Sequence, residues 1–238
     1  MDETYKTKYA LHEAIREGQT SKALALLSTN PNLSTLSDPD SRLPIHWAVS
    51  FDRAAVIETL VQQRNFDADA VDGSNWTPLM MACSRPEPSL QTIHLLLSKS
   101  ADPNCQTTGG QTAMHFAASK AHLDVARALL AAKGSARIRD KRGQLPVHRA
   151  AAVGSVPMIK LLLGEGKSPV NAADSDGWTP LHHAVSEGHG DAALVLLLAG
   201  AEFEKEDKEG KRALELAPDA KTRRFIVQAA EREGIDLE

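Results

Sequence analysis

Residues 176–201 read DGWTPLHHAVSEGHGDAALVLLLAGA. Asp176, His182, His183, Ser186, Glu187, His189 and Asp191 fall within sixteen positions, an assortment that suits a hydrolase, a metal centre or a scaffold whose polar residues do structural work. The rest of the chain decides among these. The hexamer TPLHHA (179–184) has counterparts in YALHEA (9–14), LPIHWA (43–48), TPLMMA (77–82), TAMHFA (112–117), LPVHRA (145–150) and RALELA (212–217). Their fourth positions are 12, 46, 80, 115, 148, 182 and 215, separated by 34, 34, 35, 33, 34 and 33 residues. So constant a step marks an internal structural repeat.

Each unit follows one grammar. A polar turn such as DKRG (140–143), DSDG (174–177) or DKEG (207–210) comes first, its glycine permitting the positive φ of a tight hairpin turn. Thr-Pro or Leu-Pro then opens a short Ala-rich helix, where proline is tolerated because its missing N–H has no intrahelical partner. A turn near Gly18, Gly154 or Gly188 leads to a second helix with a Leu-rich stripe, expected to end on a glycine cap at Gly134, Gly166 or Gly200. The third unit departs: SRPEPS (84–89) puts two prolines and one extra residue where the inter-helix glycine belongs, and a local bulge is expected there.

This grammar resembles the ankyrin repeat, with its T-P-L-H-x-A signature and period near 33. The resemblance implies an all-α fold: an ankyrin-repeat solenoid of seven repeats, helix-turn-helix units joined by β-hairpin loops, as one domain over residues 5–230. Repeats begin near 8, 42, 76, 111, 144, 178 and 211, and the first and last act as caps. A lone repeat cannot bury its apolar side, so neighbours stack into a curved array.

Composition fits this and excludes other classes. Hydrophobic residues make up 42% of 238 but aromatics only 4%, so the core is built from Leu, Ala, Val and Ile, which favours stacked helices over a β-sandwich. A net charge of −4 offers no general attraction to nucleic acid or anionic membrane. Cys83 and Cys105 are too few for a disulfide framework and suit a reducing compartment. The charged start MDETYKTKYALHEAI is unlike a signal peptide, and the longest apolar run, Ala192–Ala201, is about half of the roughly 20 residues that span a bilayer. A soluble intracellular protein with no membrane association is expected.

The catalytic alternatives fail on spacing. His182 is the repeat histidine, equivalent to His12, His46, His115 and His148; the resemblance to ankyrin repeats implies that it hydrogen-bonds the backbone between hairpins and the Thr of its own helix start. Repeats placed roughly 8–10 Å apart cannot bring those histidines to one zinc ion with ligands at about 2 Å. Ser186, His183 and Asp191 can be written as a triad, but no nucleophile elbow or glycine-rich oxyanion loop accompanies them. GEGKS (164–168) lacks the earlier glycine of a phosphate loop, with Leu161 in its place, and follows a helix. The reading is a non-enzyme with no cofactor and no metal. RIRDKRG (137–143) concentrates four cations, but without an aromatic platform it points to an acidic protein partner rather than nucleic acid.

Binding residues are sought on the hairpin tips and the exposed side of each first helix, the concave side of such an array. After the repeat histidine come Trp47, Met81, Phe116, Arg149 and His183; four residues later come Phe51, Arg85, Lys120, Val153 and Glu187. The tips add Asp38, Asp40, Arg42, Asp72 and Trp76, then the stretch from Arg137 through Arg139 to Arg142, then Asp174, Asp176 and Trp178. Tryptophan and arginine are enriched among residues that dominate interface energies. Alternating acidic and basic tips call for a partner of interleaved charge.

Several segments go beyond the repeat consensus: DPDSRLPIHWAVSF (38–51), GSNWTP (73–78), MHFAASK (114–120), RIRDKRGQLPVHRAAAVGS (137–155) and DGWTPLHHAVSEGHGDAA (176–193). Together they resemble the gankyrin family, and especially its fungal members. That resemblance implies a non-catalytic assembly chaperone of the 26S proteasome regulatory particle. Its implied partner is the C-terminal helical domain of one base ATPase, the third regulatory-particle triphosphatase, gripped along the concave face by a monomer in cytoplasm and nucleus. Arg42 and Lys120 would meet acidic residues of that domain, and Asp40 and Asp72 basic ones. Where animal members carry an L-x-C-x-E segment linked to retinoblastoma-type pocket proteins, this chain reads LHHAVSE, so that partnership is not carried over. The alternative is a generic ankyrin-repeat adaptor or inhibitor that regulates a kinase or a transcription factor.

Overall fold

The computed structural model describes residues 8–237, so residues 5–7 of the expected array lie outside the described part. The chain divides into two compact units, one reaching to Thr108 and the other starting at Gly109. The first unit contains the helix pairs Ala10–Arg16 with Thr20–Thr29, Pro44–Ser50 with Ala54–Leu60, and Pro78–Ser84 with Leu90–Ser98, plus a 3-10 turn at Pro31–Thr35. The second contains Ala113–Ser119 with Leu123–Ala131, Pro146–Ala152 with Val156–Gly164, and Pro180–Ser186 with Gly190–Leu198. It closes with a 3-10 turn, Ala213–Leu216, and the helix Ala220–Arg232. Within each unit, first helices pack on first helices and second helices on second helices.

The packing follows from residue size. Ala14, Ala48, Ala82, Ala117, Ala150 and Ala184, the last residues of the first six hexamers, are buried, and their single methyl groups let successive first helices approach closely. Leu27, Leu60, Leu96, Leu129, Leu162 and Leu196 are buried on the second helices. Burying such a leucine stabilises the fold by about 2 kcal/mol.

Five of the first helices stop after two turns because the second residue beyond each is left-handed. This residue is Gly18 (φ 73°), Gly154 (67°) or Gly188 (78°) in three pairs, and Asp52 (54°) or Ala121 (55°) in two others. The third pair instead runs out through extended Arg85 (φ −61°, ψ 147°) and restarts at Ser89, whose side chain accepts the Thr92 N–H. Arg85 reaches back to the Val49 and Ser50 carbonyls and to Asp52 (3.7 Å), fastening the irregular turn to the preceding helix. The expected bulge is thus an arginine-anchored loop.

Three expectations are corrected. The second helices capped by Gly134 and Gly166 reach their left-handed residue at Lys133 (φ 66°) and Lys167 (φ 51°) instead. Those glycines serve close approach: a Cβ on Gly134 would lie 2.7 Å from the Leu129 carbonyl oxygen, and one on Gly166 2.6 Å from that of Leu162. Gly200 does adopt the left-handed conformation, at φ 89°. The hairpin loops contain no strand among the described residues, only one isolated bridge, Glu206 with Arg212. Finally, the seventh unit's first helix is only a 3-10 turn, because Ala217 before Pro218 is extended (ψ 130°), as a residue preceding proline prefers.

Candidate functional site

The turns that replace hairpins are built on a periodic aspartate. In Asp38, Asp72, Asp140, Asp174 and Asp207 the backbone N–H donates to the carbonyl four residues on, at 2.9–3.0 Å, and the carbonyl accepts the N–H three residues on. Oδ1 accepts two further backbone N–H groups, from the residues two and four positions on; for Asp174 these are Asp176 (3.0 Å) and Trp178 (2.9 Å). The residue three positions on is left-handed every time: Ser41, Asn75, Gly143, Gly177 and Gly210, with Gly110 in the turn headed by Thr107. Within each unit the tips are joined in series, Gly73 N–H to Asp40 O (2.9 Å) in the first, and Ser175 N–H to Arg142 O (2.8 Å) and Lys208 N–H to Asp176 O (3.0 Å) in the second.

The repeat histidines supply the second tie. His115, His148 and His182 accept through Nδ1 the backbone N–H three residues earlier, at 3.0–3.2 Å. Their Nε2 then points at the next turn's carbonyls: Gln144 (3.0 Å), Ala172 (2.9 Å) and Lys211 (3.3 Å). His46 does the same with Leu43 and Ala70, and His12 reaches Arg42 O at 3.3 Å. One nitrogen accepting and the other donating defines a neutral Nε2–H imidazole. Burial lowers the pKa of all five, and that of His148, additionally repelled by His183, falls to about 4.

What the turn aspartates do with their second oxygen shapes the surface. Asp38 Oδ2 accepts from Trp47 Nε1 (2.8 Å), Asp140 Oδ2 from Arg149 (2.8 Å), and Asp174 Oδ2 from His183 Nε2 (3.0 Å). Each donor stands nine residues after its aspartate. Met81 and Leu216 occupy that place for Asp72 and Asp207 and have no proton to give. There the donor comes from the preceding repeat instead: Arg42 Nε to Asp72 Oδ2 (3.3 Å) and Trp178 Nε1 to Asp207 Oδ2 (3.0 Å). The buried aspartates therefore anchor Trp47, Arg149, His183, Arg42 and Trp178 in fixed poses.

Each unit carries an open groove beside these anchors. In the first, about 370 Å³ lies between Arg42, Asp72, Trp76, Met81 and Arg85. Trp47 stacks on Phe51 (centroids 5.9 Å apart, 9° between planes), with the Arg42 guanidinium 6.0 Å from the Trp47 ring and that of Arg53 5.8 Å from Phe51. In the second, about 360 Å³ lies between Arg142, Asp176, Trp178, His183, Lys208 and Glu209. Trp178 meets His183 edge-on at 5.1 Å, and His183 meets His148 at 5.6 Å. Both grooves are lined by charges of both signs beside an aromatic wall.

The expected binding residues sort by accessibility. Asp40, Phe51, Lys120, Arg137, Asp176 and Glu187 are exposed, while Trp47, Trp76, Phe116, Arg149, Trp178 and His183 are half-buried. Asp72 and Asp174 are buried and hold the turns together rather than lying open. Arg139 is exposed but donates to the carbonyls of Gly143 and Ala173. Asp38, expected at an open tip, is likewise buried. Asp140 and Asp207 were not singled out from the sequence, nor was Gln144, whose amide donates to Asp174 (2.9 Å). The signal for the aspartates was present: they recur at the hexamer's own period, eight residues before its fourth position.

Electrostatics match these roles. Burial alone would raise the Asp174 pKa, but donation from Gln144, His183 and the backbone outweighs it and holds the carboxyl below its ordinary value. Asp72 is lowered in the same way, by the Trp76 and Ser74 N–H groups and by Arg42, against burial. Burial leads in lowering His183 despite Asp174, with Arg149 and Arg142 adding to it, so its bond to Asp174 comes from a neutral imidazole.

The paper triad is not assembled, since Ser186 Oγ donates to the His183 carbonyl (3.1 Å) and His183 Nε2 is engaged by Asp174. Burial raises the thiol pKa of Cys83, and burial with nearby aspartates takes Cys105 to about 11. Among the described residues, no cluster of three His, Cys, Asp or Glu side chains is arranged to hold a metal, and no helix is long and apolar enough to cross a membrane.

Comparison with known proteins agrees with this architecture. The family model described as ankyrin repeats (3 copies) matches residues 64–136, 80–172 and 129–207. The ankyrin repeat domain of Bcl-3 superposes with a TM-score of 0.74 at 23% identity, covering 91% of this chain and 96% of that one, a likeness of fold. The chain is 39% identical over 227 residues to the "Probable 26S proteasome regulatory subunit p28" of Saccharomyces cerevisiae, covering 93% of this chain and 98% of the yeast protein. It is 37% identical over 214 residues to an ankyrin repeat-containing protein of Schizosaccharomyces pombe, covering 89% and 91%. With the periodic histidines and aspartates in place and a yeast relative matched over nearly its whole length, the chain belongs to the gankyrin family of ankyrin-repeat proteins.

Proposed function

We propose that the protein is a non-catalytic chaperone for assembly of the 26S proteasome regulatory particle. It holds the C-terminal domain of a base ATPase against its turn tips and first helices, and works in cytoplasm and nucleus. The observation that carries this is the near full-length relationship to a yeast protein named as a 26S proteasome regulatory subunit. The surface supports it: each unit offers an aromatic wall beside charges of both signs, which suits a folded partner of interleaved charge. Anchoring by buried aspartates reduces the side-chain entropy that binding would otherwise remove.

Affinity capture from cell extract at moderate salt, followed by mass spectrometry, tests the proposal. Base ATPase subunits are the expected catch, and recovery without any regulatory-particle subunit overturns it. Reversing Arg42 and Lys120 together to glutamate is expected to weaken capture at least about a hundredfold by replacing attraction with repulsion. Unchanged binding of that variant would remove these faces from the interface.

A further inference from the structure

The groove of the first unit differs from that of the second in one wall and in its floor. The wall is the irregular loop of the third repeat, where the chain passes through Arg85, Pro86, Glu87 and Pro88 before the next helix starts. Arg85 is used in holding that loop: Nε donates to the Glu87 carbonyl (3.3 Å), Nη1 to the carbonyls of Val49 and Ser50, and Nη2 pairs with Asp52 (3.7 Å). The backbone is stiff as well, since a residue before proline is confined to extended conformations. Pro86 is therefore a fixed, exposed edge of the groove, which it lines together with Trp76. The floor is Met81, only 6% exposed, at the place where Trp47, Arg149 and His183 offer a proton donor in their own repeats.

The polar side chains around Met81 are already engaged. Asp72 accepts from the N–H groups of Ser74 and Trp76 and from Arg42 Nε. The Ser84 hydroxyl donates to the Met81 carbonyl (2.9 Å) and the Ser50 hydroxyl to the Met81 sulfur (3.4 Å). A polar group entering beside Met81 would give up water without gaining hydrogen bonds from these side chains, whereas an apolar one gains burial. The thioether can adapt its shape to such a guest. At the rim the balance is reversed. Arg42 spends only Nε on Asp72, and its two terminal nitrogens have no hydrogen-bond partner among the described residues. Of the three charged residues lining the groove, Asp72 and Arg85 are satisfied, so the Arg42 fork is the charge left to a partner.

We propose that this groove receives an apolar side chain of the bound ATPase domain, with a carboxylate of the same segment on the Arg42 fork, and that Met81 and Pro86 set this specificity. The inference rests on the reading that the protein holds an ATPase domain. It adds to that reading a subsite built from the residues by which the third repeat departs from its neighbours. An arginine fork matches a carboxylate in geometry as well as charge. A polar residue offered to the floor would be rejected by its lost hydration.

Met81→Arg tests the subsite on the full chain, because the fifth repeat already carries arginine at this place, bonded through Arg149 to Asp140. The new side chain is expected to fill the groove and to leave the thermal midpoint unchanged. Capture of base ATPase subunits from cell extract, quantified by mass spectrometry, is expected to fall about tenfold or more. Leu90→Arg, which adds a cation at an exposed position of the same repeat's second helix, is expected to capture normally. Independently of any loss of stability in Met81→Arg, a photo-cross-linking residue replacing Ser74 at the groove's rim is expected to mark an ATPase segment with apolar and acidic residues side by side. Full capture by Met81→Arg overturns the inference and leaves the chaperone reading in place. A cross-link to a wholly polar stretch, or to a second copy of this chain, does the same. If the unaltered protein captures no regulatory-particle subunit, the chaperone reading and this inference fall together.

Discussion

Both carboxylate oxygens of Asp174 are occupied, Oδ1 by two backbone N–H groups and Oδ2 by Gln144 and His183. Asp174→Ala would strip all four donors of their acceptor in a buried place, and each such loss costs about 1 kcal/mol or more. The expected outcome is a loss of about 3 kcal/mol, read as a lower urea midpoint with an unchanged slope, together with weaker partner binding because His183 loses its anchor. Arg42 shows the opposite balance. Its ion pair with Asp72 is half-exposed, so Arg42→Glu is expected to cost only about 1 kcal/mol of stability while its effect on binding is large. The sequence marked both residues as partner-facing; only the hydrogen bonds show that one holds the turn and the other reaches out from it.

Among the elements, the junction of the final helix with the sixth repeat is the most exacting. Gly190 is buried at the start of its helix with Phe225 in the space a Cβ would need. Gly190→Ala is therefore expected to displace the helix Ala220–Arg232 rather than to stabilise Gly190–Leu198 by better helix propensity. Hydrogen exchange checks this: amides of residues 220–232 should lose protection while those of the first unit keep theirs. The segment EGHGDAA was legible as unusual in the sequence, but not the reason for its second glycine, because Phe225 lies 35 positions away. Gly134 and Gly166 carry the same lesson. Sequence position suggested a helix cap, whereas a carbonyl oxygen within 3 Å of the absent Cβ is what excludes a side chain there.

For the whole molecule, the repeated neutral histidine ties stability to pH. The folded pKa values of His12, His46, His115, His148, His182 and His183 are lowered, so below about 6.5 the unfolded chain takes up protons that the folded one refuses. Stability is complete above that pH and is lost as pH falls through the folded values. His148 alone, at about 4, is expected to remove about 2 kcal/mol between pH 7 and pH 5. Urea midpoints across that range test the sign; a flat profile would show that the buried imidazoles are not held neutral. Protonating one would turn an Nδ1 that accepts a backbone N–H into a second donor facing it, which explains why burial wins over the favourable carbonyl contacts.

By itself the sequence determined the period, the helix pairs, the proline starts and the recurrence of the repeat histidine. Each depends on residues within one unit or on recurrence between units, and both are visible along a line. Tertiary structure decided which donor serves which aspartate. Asp140 and Asp174 are met by the residue nine positions on, but Met81 and Leu216 cannot donate, so Asp72 and Asp207 are met from 30 and 29 positions earlier, by Arg42 and Trp178. A buried carboxylate oxygen takes whichever donor the packing brings within about 3 Å, and that proximity exists only once neighbouring turns stand side by side.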